Sequence, residues 1–291
     1  MLFKLPGSSL LEAQELEKDG RTVHPATPNA SSATLGASSA RFLPLPGELF
    51  KVGEFEAWLI PSQVKLADGS QRRPWIFFAH TLHGGNPRPV HTGMFARFVQ
   101  QGISIAGVDV GESFGSPHGR SGFTALYHEL VEHRNFAHKP CLVAQSRGGL
   151  QAYNWAADHP NWIAGIAGIF TVADVAHYPG LQRVQKAYGR TLAELKREMP
   201  LLNPIERLKP LADARVPIFL LHGEKDHMVP LSRHSAVLVK RYVALGGNVR
   251  LIVLPDKAHE LTPEFLEHEE LVAFVTERAL QPESGPIASS R

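Results

Sequence analysis

Three residues of this chain have side-chain types that together could carry out acyl transfer: Ser146, Asp226 and His259. A serine hydroxyl is a weak nucleophile until a base takes its proton. That base needs a third group to hold its tautomer and stabilise the imidazolium. Ser146 stands in the run Pro140-Cys141-Leu142-Val143-Ala144-Gln145-Ser146-Arg147-Gly148-Gly149-Leu150. Cys141 to Ala144 is apolar without polar alternation, the pattern of a strand covered on both faces. From Gly148 the chain reads as a helix to Asp158, stopped by Pro160. A serine between such elements sits on a sharp, strained turn that points its Oγ out of the top of a sheet. The turn needs small residues two before and two after, and here they are Ala144 and Gly148.

A second serine competes. Gly111-Glu112-Ser113-Phe114-Gly115 fits the G-x-S-x-G pattern more literally. Ser116, Pro117 and Gly119 follow it and read as a loop, with a helix opening only at Ser121. Context therefore favours Ser146 as the nucleophile.

The acid and the base are expected just past later strand ends. The run Ile218 to Leu221 leads into His222-Gly223-Glu224-Lys225-Asp226-His227-Met228-Val229-Pro230. Asp226 lies in the loop there and is the expected acid, with Glu224 as competitor. The last strand, Arg250 to Leu254, leads into Pro255-Asp256-Lys257-Ala258-His259-Glu260. His259 follows both Ser146 and Asp226 in the chain, which suits the base. An oxyanion hole needs two backbone N–H groups aimed where negative charge develops. Arg147, the residue after the nucleophile, is the first expected donor. The second is expected in the loop after the strand Trp75 to Ala79, from Leu82 or alternatively Gly84.

These residues require a scaffold, and the pattern supplies one. Buried strand-like runs alternate with amphipathic helical segments from Phe50 to Leu280, as in a mostly parallel sheet with helices on both faces. Thr171 to about residue 210 breaks the alternation with two short helical segments and four prolines. It reads as a small insert acting as a partial lid. Residues 1–42 read as a weakly ordered N-terminal arm, 43–281 as the folded domain and 282–291 as a frayed tail.

With 291 residues the chain is long enough for one large α/β domain. Its net charge is only +2 and it has no Lys/Arg run, which gives no support to nucleic-acid binding. Cys141 is the single cysteine, so no intrachain disulfide forms. The opening residues lack the apolar core of a signal peptide, and no apolar run is long enough to span a membrane. A cytoplasmic location is the resulting expectation. His128-Glu129-Leu130-Val131-Glu132-His133 is one residue too long for H-E-x-x-H, and on an α-helix its histidines would diverge by about 140°. His80/His83 and His222/His227 read as loop histidines. No metal or other cofactor is expected.

The element order, the turn Ala144-Gln145-Ser146-Arg147-Gly148, the segment His222-Gly223-x-x-Asp226-x-x-Val229-Pro230 and the late His259 together resemble the α/β-hydrolase superfamily. Within it the chain is similar to bacterial esterases and prolyl-oligopeptidase-like hydrolases over about residues 50–280. It departs from them in having Ala144 where the turn usually begins with Gly, and in lacking a clean His-Gly-Gly-Gly after the first parallel strand. The resemblance implies hydrolysis of a small-molecule ester or related acyl substrate. A peptidase, a C–C bond hydrolase, a metal-dependent hydrolase or a non-catalytic ligand receptor are the alternatives.

Overall fold

The chain's apolar runs fold into a sheet buried on both faces. In a computed structural model, which describes residues 43–62, 64, 72–79 and 87–281, eight strands join in one sheet. In chain order the elements are β1 (Glu48–Val52), β2 (Phe55–Ile60), β3 (Trp75–Ala79), α1 (Thr92–Gln100), β4 (Ser104–Asp109), α2 (Pro117–His128), β5 (Cys141–Gln145), α3 (Gly148–Asp158) and β6 (Gly165–Ile169). Then follow α4 (Leu181–Tyr188), α5 (Leu192–Leu202), α6 (Lys209–Asp213), β7 (Ile218–Gly223), α7 (Ser235–Ala244), β8 (Val249–Leu254), α8 (Pro263–Leu266) and α9 (Glu269–Ala279). The strand order is β1-β2-β4-β3-β5-β6-β7-β8. β1 and β2 form a hairpin and β2 meets β4 antiparallel; every other pairing is parallel.

Successive side chains of a strand point to opposite faces, and the core divides accordingly. Trp75, Phe77, Leu142 and Ala144 pack with Phe123, Trp155, Leu238 and Tyr242 of α2, α3 and α7. Ile76, Phe78, Cys141 and Val143 pack with Phe95, Phe98, Leu271 and Val275 of α1 and α9 on the other face. Each such large side chain, fully withdrawn from water, contributes about 1.5–3 kcal/mol. β5 lies central in this sandwich and all five of its residues are buried. The residue that follows it is therefore anchored on both sides.

The insert between β6 and β7 contains α4, α5 and α6. Its Val172, Val175, Val184, Tyr188 and Leu195 form an apolar cluster with Phe114, Leu150 and Val229. Tyr188 Oη donates to Phe114 O at 2.8 Å, and Asn154 Nδ2 of α3 donates to Leu202 O at 2.9 Å. The insert is thereby fastened over α3 and the loop after β4.

Two local expectations require correction, and the C-terminal helical stretch is broken. α2 begins at Pro117 rather than Ser121, with Ser116 as its N-cap accepting from Gly119 N at 3.4 Å. Proline is well suited to the first helical position and serine to the cap, so the apparent loop residues are a helix start. The final helical stretch is split into α8 and α9 around Glu267 and His268. Glu129–His133 continues α2 as a π-turn, so the angular argument for an α-helix does not hold there. His128 Nδ1 instead lies 2.6 Å from Glu132 Oε1. Among the described residues no three His, Cys, Asp or Glu side chains are grouped to share a metal ion, and no helix is long and apolar enough to cross a membrane.

The expectations for the N-terminal arm, the loop after Ala79 and the tail from 282 lie outside the described residues. Leu82 and Gly84, the two options for the second oxyanion donor, fall in that loop.

Candidate active site

The strand ends of a parallel sheet gather at one edge, and β5, β7 and β8 deliver one polar residue each there. Ser146 follows β5 directly and takes φ 50°, a left-handed conformation rare outside glycine. Its backbone is held by Ser146 N donating to Ile169 O at 3.0 Å and by Val172 N donating to Ser146 O at 2.9 Å. Gly149 lets β6's exit pass close by, since a Cβ there would lie 2.5 Å from Val172 O. The conformation is thus held by two hydrogen bonds to the exit of β6, as expected where backbone strain serves a site.

Ser146 Oγ lies 2.9 Å from His259 Nε2, and His259 Nδ1 lies 2.7 Å from Asp226 Oδ2. The carboxylate can only accept, so Nδ1 carries the ring proton and Nε2 is free to accept from the Ser146 hydroxyl. The loops that bring Asp226 and His259 together are packed backbone to backbone. Lys225 N donates to Lys257 O at 2.8 Å, and a Cβ on Gly223 would come within 2.4 Å of that same oxygen. Glycine at 223 is what permits this approach. Glu224, the alternative acid, accepts from Asp256 N at 3.1 Å and supports the turn before His259.

Asp226 has a fully buried side chain. Burial pushes its carboxyl pKa up. Hydrogen bonds from His222, His259 and Val229 N–H outweigh that and hold it well below the usual carboxylate range. Oδ1 accepts from Met228 N at 3.0 Å and from Val229 N at 2.7 Å. His222 was expected in a loop but is a fully buried residue of β7. Its Nε2 lies 2.7 Å from Val229 O and 3.4 Å from Asp226 Oδ2, so it carries a proton and faces both; its Nδ1 meets Ser235 Oγ at 2.8 Å. His227, its imagined partner, is exposed.

A cavity of about 360 Å³ opens over Ser146. Phe170, Tyr178, Met228 and Leu261 supply apolar wall, and Arg88, Gln145 and Arg147 supply the polar part. Phe170 also packs on the His259 ring with centroids 4.4 Å apart. Tyr178 comes from the insert and Met228 from the loop after β7. Thr171 is buried against Tyr153, at 2.8 Å between hydroxyls. Gln145 and His91 form a pair that sequence reading missed: His91 Nδ1 accepts from Arg88 N at 3.0 Å, so its Nε2–H donates to Gln145 Oε1 at 2.8 Å. Their separation in the chain leaves no local signal for the contact.

Ser113 is buried, and its Oγ has no hydrogen-bond partner among the described residues. It lies in the loop after β4, packed against Gly119, whose Cβ, if present, would meet Ser113 Oγ at 2.1 Å. Steric exclusion there, not the absence of a helix, sets it apart from Ser146.

Another buried histidine ties the insert to the loop after β7. His234 Nδ1 accepts from Ala173 N and Asp174 N, each at 3.3 Å, and its Nε2 faces His177 Nδ1 at 3.3 Å. Burial, then the neighbouring His177, push its pKa down to about 4, against partial compensation from Asp174. The unfolded chain takes up a proton at this residue below its ordinary value of about 6.5, whereas the folded chain does so only near 4. Its stabilising contribution is therefore complete above pH 6.5 and declines as pH falls toward 4, by about 3 kcal/mol. His91, lowered chiefly by burial, acts in the same direction. Urea midpoints should fall across this window, and His234→Asn should flatten the slope; an equal slope in that variant would refute the assignment.

No protein-family model matches the sequence, and no curated protein does. Solved structures match in fold. A puromycin-hydrolyzing peptidase of Mycobacterium tuberculosis superposes with a TM-score of 0.65 at 14% identity, over 85% of this chain and 41% of that one. The acylaminoacyl peptidase of Pyrococcus horikoshii gives 0.62 at 14% identity, over 83% and 42%. Mycobacterium tuberculosis MPT51 (FbpC1) gives 0.64 at 11% identity, over 80% and 99%. The chain thus spans less than half the length of the two peptidases and nearly all of MPT51. Strand order, crossover pattern and these superpositions together identify the architecture: the chain has the α/β-hydrolase fold.

Proposed function

We propose that the protein is a serine hydrolase acting on a carboxylic ester or related acyl substrate through a Ser146–His259–Asp226 triad. The observation that carries this reading is the continuous proton path, 2.9 Å and then 2.7 Å, built on a serine at φ 50°. Ser146 Oγ attacks the carbonyl while His259 Nε2 takes its proton. His259 then hands that proton to the leaving group, and an acyl-enzyme remains. Water, deprotonated by the same nitrogen, releases the acyl group. Asp226 holds Nδ1–H and stabilises the imidazolium. Arg147 N–H, at the start of α3, lies where helix N–H groups lack intrahelical partners and serves as one oxyanion donor. The loop after β3, with Leu82, supplies the second. Residues 43–281 form the catalytic domain and 171–210 its partial lid. No cofactor takes part.

Two of the fold neighbours are peptidases, which supports amide cleavage by the same triad as a second reading. Hydrolysis of p-nitrophenyl acetate, butyrate and octanoate, beside aminoacyl p-nitroanilides, separates the two. A fluorophosphonate should add to Ser146, identified by mass spectrometry of the labelled peptide. Ser113→Ala should retain full turnover and equal or greater stability, because it removes a buried hydroxyl without a partner. Labelling elsewhere, or loss of activity in Ser113→Ala, would sink the assignment.

A further inference from the structure

Among the described residues, the cavity over Ser146 is lined by two arginines and by no acidic side chain. The arginines differ in how their charge is balanced. Arg147 Nη1 lies 2.8 Å from Glu112 Oε2, in a half-buried ion pair that neutralises it. Arg88 makes no ion pair among the described residues, and none of their carboxylates offsets its guanidinium in the cavity wall.

Its backbone is held relative to the nucleophile. Arg88 N donates to His91 Nδ1 at 3.0 Å, and His91 Nε2–H donates to Gln145 Oε1 at 2.8 Å. Gln145 is the residue immediately before Ser146. Both His91 and Gln145 are buried, so two hydrogen bonds inside the fold tether the Arg88 backbone to the turn that carries Ser146. Phe170, Tyr178, Met228 and Leu261 line the same cavity. The site therefore combines a cationic group and apolar wall around the hydroxyl.

Resting on the serine hydrolase reading, we infer that Arg88 selects substrates bearing a carboxylate or other anionic group near the scissile carbonyl, with an apolar portion on the Phe170 side. A guanidinium presents a planar fork of donors that matches a carboxylate in two-point fashion. A cation lining a cleft also raises the local concentration of anionic substrate.

Matched ester pairs test this. On the acyl side, p-nitrophenyl hemiglutarate is compared with p-nitrophenyl valerate; on the alcohol side, 4-carboxyphenyl valerate with 4-carbamoylphenyl valerate. The quantity read is the anionic-to-neutral ratio of kcat/KM for wild type, divided by the same ratio for Arg88→Gln. This cancels differences in intrinsic ester reactivity and any general damage from the substitution. At least one pair should give a value of tenfold or more. That value should shrink in high salt, and Arg88→Lys should retain part of it. Values within twofold of unity for both pairs would overturn the inference, including the case where Arg88→Gln slows neutral and anionic esters alike. If wild type cleaves no ester and takes no fluorophosphonate at Ser146, the hydrolase reading fails first, and this inference with it.

Discussion

Ser146→Ala is expected to lower kcat on ester substrates by about 10⁵–10⁶-fold while leaving the protein folded. The turn is held by Ser146 N on Ile169 O and by Val172 N on Ser146 O, and alanine retains both backbone groups. What disappears is the Oγ that lies 2.9 Å from His259 Nε2. His259→Ala should cost nearly as much, because without a base the hydroxyl remains protonated and unreactive. The decisive result is the double variant. A nucleophile and its base act as one unit, so Ser146→Ala/His259→Ala should be no slower than either single variant. Losses that multiply would show two independent contributions and would refute a shared proton path. Circular dichroism and urea midpoints distinguish these outcomes from unfolding. A Ser146→Ala variant with wild-type turnover would remove the triad altogether.

The parts of this site that were legible in the sequence are those written in local patterns. A β-rich run, a serine flanked by Ala144 and Gly148, and a helix start are contiguous, so the turn could be read without knowing what packs around it. Asp226 and His259 were legible because each follows an apolar run that could only be a strand. Contacts that depend on long-range packing were not. His222 looked like a loop histidine because glycine follows it, yet β7 continues through Gly223 to let the Lys257 carbonyl approach. The pairing of Gln145 with His91, and the placement of Arg88 beside Ser146, need the folded sheet before they exist. Ser116 and Pro117 illustrate the opposite failure. Residues typical of loops are equally typical of helix starts, and only the following helical face could decide.

Asp226→Asn should lower kcat by about 10⁴-fold with a small effect on KM, and the reason lies in how the loop holds the side chain. Oδ1 accepts two backbone N–H groups, from Met228 at 3.0 Å and Val229 at 2.7 Å. An asparagine must keep its carbonyl oxygen there, because turning the amide over would set its NH₂ against both donors. Its NH₂ then occupies the place of Oδ2, 2.7 Å from His259 Nδ1 and 3.4 Å from His222 Nε2. His259 would have to accept at Nδ1 and carry its proton on Nε2, the nitrogen that must receive the proton of Ser146. The base is thereby lost without moving the ring. Facing the proton on His222 Nε2 as well, the amide leaves one buried donor poorly matched, which should cost about 1 kcal/mol of stability. The substitution also removes a carboxyl whose pKa is held below its ordinary value. That group stabilises the fold above its ordinary pKa and loses this contribution as pH falls below it. Acid unfolding of Asp226→Asn should accordingly be less steep below about pH 4. Nitrogen-15 spectra of His259 decide the central point: a proton retained on Nδ1, or a loss of kcat under tenfold, would show that Asp226 does not set the tautomer.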